Sequence, residues 1–234
     1  MRAMKFFAGM LLALMATAVS AQAQAVAEGS WINLFDGETL FGLTQFGDVK
    51  WEVKDGELKA ASGAGGWLAT TAQFQDFELE AKLTISGGTA GLVVRGGLEG
   101  HQTENGGGVV TLTGEGAYTV NVVAKGGDVT ATVNGAAVEF TKPTRGRGYI
   151  GVQYHHRHGE KKATELSVKS LRLRPLGLNA LFNGKDLNGW NIIPDRKSVF
   201  AVKEGALNIS NGNGQIETAG TFQNFALQLD VYSN

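Results

Sequence analysis

The chain contains no cysteine and only 3 prolines among its 234 residues. Without thiols there is no disulfide framework, no thiolate metal site and no cysteine nucleophile. An excess of either charge is missing as well, since 21 Lys and Arg face 22 Asp and Glu. Surfaces that hold nucleic acid or an anionic membrane need a basic excess, so neither is expected as a partner. No apolar run reaches the roughly 20 residues of a membrane-spanning helix; the N-terminal one, Phe6–Val19, has 14. "GGLEG" and "GEG" lack the strand, glycine loop and helix that cradle a phosphate, which excludes a nucleotide-binding loop.

What surrounds the N-terminal run gives it a meaning. Arg2 and Lys5 precede it, and Ala21-Gln22-Ala23 follows it. A positive region, a short apolar stretch and a small-x-small site are the layout of a secretory signal peptide, here residues 1–23. An uncleaved anchor is the alternative. Cleavage leaves 19 basic against 22 acidic side chains and roughly 210 residues, enough for one large core or one and a half ordinary ones. The expected product is exported, periplasmic or extracellular, and free of the membrane after cleavage.

The remainder is rich in glycine, with 34 residues, and dominated by alternation of period two. "FELEAKLTI" sets Phe77, Leu79, Ala81, Leu83 and Ile85 against Glu78, Glu80, Lys82 and Thr84, a half-buried strand. "YTVNVVA" and "VTATVNG" are joined by "KGGD", a hairpin signal. "YIGVQYH" and "TELSVKSLRLRPL" supply two more strands, the second with a one-residue slip near Ser170. No helical stripe follows the leader. Short strands between glycine-rich turns predict an all-β sandwich or jelly roll. The glycine clusters "SGAGG", "ISGGTAG" and "ENGGGV" read either as plain turns or as loops that let a ligand approach the backbone.

The chain also repeats itself. "LFDGETLFGL" at Leu34–Leu43 returns as "LFNGKDLNGW" at Leu181–Trp190, and "WEVKDGEL" returns as "FAVKEGAL". "WLATTAQFQDFELEAKL" is answered by "QIETAGTFQNFALQLDV", at an offset of about 148 residues, the mark of a duplicated domain rather than a solenoid. Residues 30–176 are expected to form one complete copy. Residues 178–234 are expected to be the start of a second, cut short as in a fragment of a longer product. The alternative is that the last strands add to the edge of the first copy.

The order of "LFNGKDLNGW", "VKDGEL", "FQDFELEAKL", "GLVVR" and "GYIGVQYH" followed by "LSVKSLRLRPL" resembles the 3-keto-disaccharide hydrolase family. The resemblance implies a concanavalin-like or laminin-G-like jelly roll. It also implies cleavage of glycosides oxidised at C3, by removal of the acidified C2 proton, loss of the C1 substituent and addition of water. The partner implied is a saccharide or 3-keto-glycoside. No cofactor is implied, and a divalent metal stays open. Such chemistry needs a base tuned near neutral pH, donors aimed at the enolate oxygen and a proton source.

His155 is the preferred base, because alternation in "YIGVQYH" puts it with Gln153 on the face opposite Ile150, Val152 and Tyr154. Gln153 is expected to contact a sugar hydroxyl. Arg95, which ends "AGLVVR" where the family also carries an arginine, is expected on the same face, holding an enolate or hydroxyl oxygen. His101 and Glu104, in "GHQTENGGG", are further acid or base candidates, in a stretch that departs from the family's acidic strand. Trp67 stacks on a sugar or fills a rim, while Trp31, Trp51 and Trp190 read as structural. Three readings compete with these roles. "HHRHGEKK" can be a solvated turn or a metal site, Glu78 and Glu80 can be a glycosidase pair or a solvated face, and the whole sandwich can bind carbohydrate without turnover or serve only as a cell-surface structure.

Overall fold

The structure is a computed structural model, and it describes residues 26–27, 29–60, 63, 65–98, 105–155, 165–223 and 225–233. The leader expected over residues 1–23 therefore lies outside the described residues, as do His101, Glu104, His156 and His158. Nineteen strands, numbered along the chain, and no helix are found among the described residues. No helix there is long and apolar enough to cross a membrane.

Two antiparallel sheets make the body. The larger runs β12 (Ala136–Ala137), β11 (Asp128–Val133), β10 (Gly116–Lys125), β7 (Phe77–Ile85), β14 (Leu166–Pro175), β5 (Glu57–Ala60) and β4 (Trp51–Lys54), with β2 (Ile32–Asn33) also paired to β14. The smaller runs β3 (Leu43–Gly47), β6 (Gly65–Thr70), β13 (Tyr149–His155), β8 (Thr89–Gly96) and β9 (Gly108–Thr113). This is the all-β jelly-roll sandwich expected from the sequence.

The alternating pattern decides which face each strand buries. Phe77, Leu79, Ala81, Leu83 and Ile85 of β7 all enter the core, where they meet Leu92, Val94, Ile150 and Val152 of the smaller sheet. A fully buried Leu or Phe contributes about 1.5–3 kcal/mol, so a one-residue slip of such a strand is heavily disfavoured. β14 needs one local exception. Its register against β7 shifts between Val168 and Ser170, and the extra residue, Lys169, stays exposed. That bulge keeps both Leu166 and Val168 and then Leu171 and Leu173 inward. The hairpin read from "KGGD" is present, with Lys125 opposite Asp128 across Gly126 and Gly127.

Beyond the sandwich, β15 (Leu178–Asn179) pairs with β1 (Val26–Ala27), β16 (Trp190–Ile192) with β19 (Ile216–Thr218), and β17 (Val199–Lys203) with β18 (Ala206–Ser210). These pairings repeat earlier ones residue for residue. Leu43 faces Thr70 as Trp190 faces Thr218, and Trp51 faces Ala60 as Phe200 faces Ile209. The turn chemistry repeats as well. Asp36 Oδ1 accepts from the amides of Glu38 and Thr39 at 2.8 and 2.7 Å, and Asn183 Oδ1 from those of Lys185 and Asp186 at 2.8 and 3.0 Å. Thr70 and Thr218 each donate a hydroxyl to the carbonyl two residues on, both at 2.8 Å.

Candidate functional site

The outer face of the smaller sheet carries the candidate site, and β13 lies at its centre. Ile150, Val152 and Tyr154 point into the core, so Gln153 and His155 point out, as alternation predicts. Burial pushes the Tyr154 phenol up, helped by Glu165, which suits an inward tyrosine that stays neutral. Across the five strands the registers align Phe46, Trp67, Gln153, Gly91 and Thr111 in one row. A second row holds Gly65, His155, Thr89 and Thr113, and a third holds Thr44, Ala69, Gly151, Val93 and Val109.

Small residues keep the middle of this face low. A side chain at Gly151 would run into the Leu68 carbonyl, so the close approach of β13 to β6 demands glycine there. Beside Gln153, a depression of about 90 Å³ is lined by Thr89, Gly91, Val109, Thr111, Thr141 and His155. It shares Val109, Thr111 and Thr141 with a wider opening of about 430 Å³ that adds Glu139 and Phe140. The segment carrying Glu139 reaches this face because Thr141 forms a β-bridge with Val109. Sequence reading missed Glu139; the available signal was the alternation of "AVEFT", which turns Glu139 away from the half-buried Val138 and Phe140.

Gln153 is 5% exposed, yet its Oε1 has no hydrogen-bond partner. Its Nε2 contacts His155 Nε2. An amide N–H donates, so in this contact the imidazole nitrogen is the acceptor. The pair thus couples a titratable ring to a buried amide whose other end opens on the depression.

Arg95 does not join them. Its φ of 51° breaks the alternation that would have put it outward, and β8 and β13 are irregular between Tyr149 and Gly151. The side chain, 1% exposed, turns into the end of the sandwich. There Nε and Nη2 donate to the Gln75 carbonyl at 2.9 and 2.5 Å, and Nη1 to the Gly126 carbonyl at 2.8 Å. Nη2 also meets Asp76 Oδ1 at 3.2 Å. Burial lowers the guanidinium pKa and Asp76 opposes that shift. The expectation that Arg95 shares the open face is therefore corrected: its donors are engaged by loop carbonyls.

Trp67 does lie on the outer face, but only 4% of it is exposed. It packs with Ala69, Val93 and Val109, and its ring centroid is 5.7 Å from that of Phe46. It forms a wall beside Gln153 and leaves little ring surface for a sugar, which corrects the stacking role. Glu78 and Glu80 face away from the site, on the larger sheet. Arg174 Nη2 donates to Glu78 at 2.6 Å and Arg172 Nε to Glu80 at 2.9 Å. Burial raises the Glu80 pKa, but the Arg172 hydrogen bond and charge outweigh it and hold the carboxyl below its usual value. The two guanidinium groups lie 4.6 and 5.5 Å from the centroid of Trp31, so the four charges and the ring form a ladder. Trp51 is buried, and Trp190 Nε1 donates to the Leu181 carbonyl at 3.1 Å, in keeping with structural roles. Among the described residues no group of three His, Asp or Glu side chains is placed to hold a metal ion.

Comparison with known proteins agrees with this architecture. A family model described as a 3-keto-alpha-glucoside-1,2-lyase-like domain matches residues 30–117 and 177–234. A candidate glycosyl hydrolase of Parabacteroides distasonis is similar in fold, with 16% identity over 64% of this chain and 94% of that one, and a TM-score of 0.51. The carbohydrate-binding module CBM66 of Bacillus subtilis has 13% identity, covers 56% of this chain and 94% of its own, and scores 0.44. A Bacillus subtilis protein with a galectin-like fold has 10% identity over 64% of this chain and 97% of that one, and scores 0.46. At 16% identity the Parabacteroides distasonis protein speaks of fold alone. Among curated proteins no match was found.

Proposed function

The chain belongs to the family of 3-keto-alpha-glucoside-1,2-lyase-like domains, and from that premise we propose that it cleaves 3-keto-glycosides on the outer face of its smaller sheet. The observation that carries this reading is the Gln153–His155 pair beside an open, hydroxyl-lined depression. A carbonyl at C3 of the sugar acidifies the C2 proton. His155 takes that proton on Nε2, once the substrate displaces the Gln153 amide from it, and the electron pair is held as an enolate at C2, C3 and the C3 oxygen. The enolate collapses to a C1–C2 double bond, the C1–O bond breaks, and the leaving oxygen takes up a proton. Water then adds across the double bond, so the net result is hydrolysis. Each proton transfer of this kind by a positioned side chain contributes about 10²–10⁴-fold. Gln153 holds a substrate hydroxyl, Glu139 lines the rim of the adjoining opening, and the proton held by His155 returns to the leaving oxygen. The N-terminal leader pattern supports an exported protein working outside the cytoplasm.

The test is release of the aglycone from a 3-keto-glucoside by the full chain and by His155→Asn. Turnover in the wild type, reduced by at least about 10²-fold in a variant of unchanged melting temperature, is expected. Absence of turnover in the wild type would sink the proposal.

A second reading has one specific observation in its favour. The cation expected at the enolate, Arg95, is bound to the carbonyls of Gln75 and Gly126. A sheet face with an imidazole and an amide, but without that cation, suits a carbohydrate-binding module. Saccharide binding that survives His155→Ala, with no turnover in the wild type, would establish it.

A further inference from the structure

The unpartnered oxygen of Gln153 has a defined setting. Gln153 is flanked in register by Trp67 on β6 and Gly91 on β8, and Gly91 is followed by Thr111 on β9. Trp67 closes one side. On the other, the missing side chain of Gly91 leaves the notch open. A methyl group built at Gly91 would lie 3.7 Å from Gln153 Oε1, 3.6 Å from Gln153 Cβ and only 2.8 Å from Val109 Cγ1. A buried acceptor without a donor carries its desolvation cost uncompensated, and such groups in folded proteins usually mark a missing partner. The depression in front of it, about 90 Å³, is far smaller than the ~300 Å³ at which pockets enclosing a whole ligand begin. It takes a projection of a ligand, not its body.

We infer that Gly91 and Gln153 form a one-hydroxyl subsite, a specificity pocket in which a single unsubstituted sugar hydroxyl donates to Gln153 Oε1. The inference rests on the saccharide reading above and adds to it which substituents are allowed. A hydroxyl both donates and accepts, so it satisfies the amide in either orientation, which a keto oxygen or an ether does not. Thr89, Thr111 and Thr141 line the same depression and offer hydroxyls to the oxygen of the bound group. An O-methyl or N-acetyl group at the same sugar carbon removes the small donor and meets the floor at Val109. The subsite therefore selects plain hydroxyls over substituted ones, with Gly91 as the steric limit.

The test uses methyl α-D-glucopyranoside and its 2-, 3-, 4- and 6-deoxy analogues. These carry no keto group, so elimination cannot consume them while binding to the full chain is measured by NMR titration. One analogue is expected to bind roughly 10- to 100-fold more weakly than the parent, because it leaves the buried acceptor unpaired, and the other three nearly as well as the parent. In Gln153→Leu, and in the more closely isosteric Gln153→Met, that discrimination disappears. Gly91→Ala weakens the parent by at least about tenfold, since the added methyl fills the notch. Equal binding of all four analogues by the wild type, discrimination unchanged in both Gln153 variants, or no binding of any glucoside would each overturn the subsite. Aglycone release from a 3-keto-glucoside is scored separately. Turnover without hydroxyl discrimination removes the subsite and leaves the catalytic reading; discrimination without turnover does the reverse.

Discussion

Replacing Arg95 by methionine removes the guanidinium while keeping most of the side-chain volume, and it decides between a structural and a substrate-binding arginine. The guanidinium joins segments that are distant in sequence: Gln75 and Asp76 before β7, Gly126 in the β10–β11 turn, and Arg145, whose carbonyl lies 3.4 Å from Nη1. Asp76 reinforces the junction, because its Oδ1 also accepts from the Gly126 amide at 2.9 Å. Hydrogen bonds to a charged group contribute about 1.5–3 kcal/mol each. Two well-made contacts, to Gln75 and Gly126, therefore set the scale, and the burial of the cation offsets part of it. Breaking a buried, paired charge by removing one partner costs about 3–5 kcal/mol, a large share of the 5–15 kcal/mol typical of a folded domain. With a urea dependence of about 1–3 kcal/mol per molar, the midpoint of Arg95→Met should fall by roughly 2 M. Arg95→Lys, which keeps one charge but not the fork of donors, should fall by less. Urea denaturation followed by tryptophan fluorescence measures both. A wild-type midpoint combined with lost saccharide binding would refute the structural role and return Arg95 to the site.

Asp36 is held down to about 2, first by the Thr39 hydroxyl and then by the Thr39 and Glu38 amides. A carboxyl with a depressed pKa lends stability that is present above about pH 4 and lost as the pH falls toward 2. Asp36→Asn, which keeps the turn as Asn183 does in the later segment, should flatten that acid-side fall in the urea midpoint; an unchanged fall would count against the assignment. Glu204 occupies a left-handed conformation with φ 51°, where Asp55 stands in the earlier hairpin with φ 57°. Glu204→Asn should raise the stability of the β17–β18 hairpin by roughly 0.5–1 kcal/mol, read from slower amide exchange across that pair. Glu80→Gln should cost about 1 kcal/mol and leave saccharide turnover intact; loss of turnover at an unchanged midpoint would reinstate the paired carboxylates. In hydrogen exchange, amides 77–85 should be among the slowest and those of 225–231 should exchange within the dead time, and equal protection would show that the later segment is paired in solution.

What the sequence disclosed depended on how far apart the interacting groups lie. β7, the β10–β11 hairpin and the slip in β14 were legible because a period of two, a Gly-Gly turn and a break in alternation are local signals. Gln153 and His155 were placed on the open face by the same rule, applied within one strand. Arg95 was misplaced because a single positive φ at the end of β8 reverses its direction, and the carbonyls that hold it are 20 to 50 residues away. Trp67 was read as a sugar platform or a rim residue, but its burial depends on Phe46 of the neighbouring β3, which alternation within β6 does not reveal.

The same division between local and distant contacts orders the later segment, which we read as a second copy of the unit. Its turns and hairpins depend on partners within about 30 residues, and they form with the registers of the first copy. Its apolar strand is different. Phe225, Leu227, Leu229 and Val231 stand where the first copy has Phe77, Leu79, Ala81 and Leu83, yet they are 55–76% exposed while their counterparts are buried. In the first copy, β7 is flanked by β10 and β14, the latter about 90 residues further along. An alternating pattern becomes a buried strand only when a neighbouring strand pairs with it and a second sheet covers its apolar face. Gln228 makes a partial substitute: its side-chain amide pairs with the Ser30 backbone, accepting at 2.9 Å and donating at 3.0 Å, and so ties the segment to the start of the first unit. One side-chain amide does not replace two strand ladders, which is why identical patterning yields a buried strand in one place and an exposed, non-strand segment in the other.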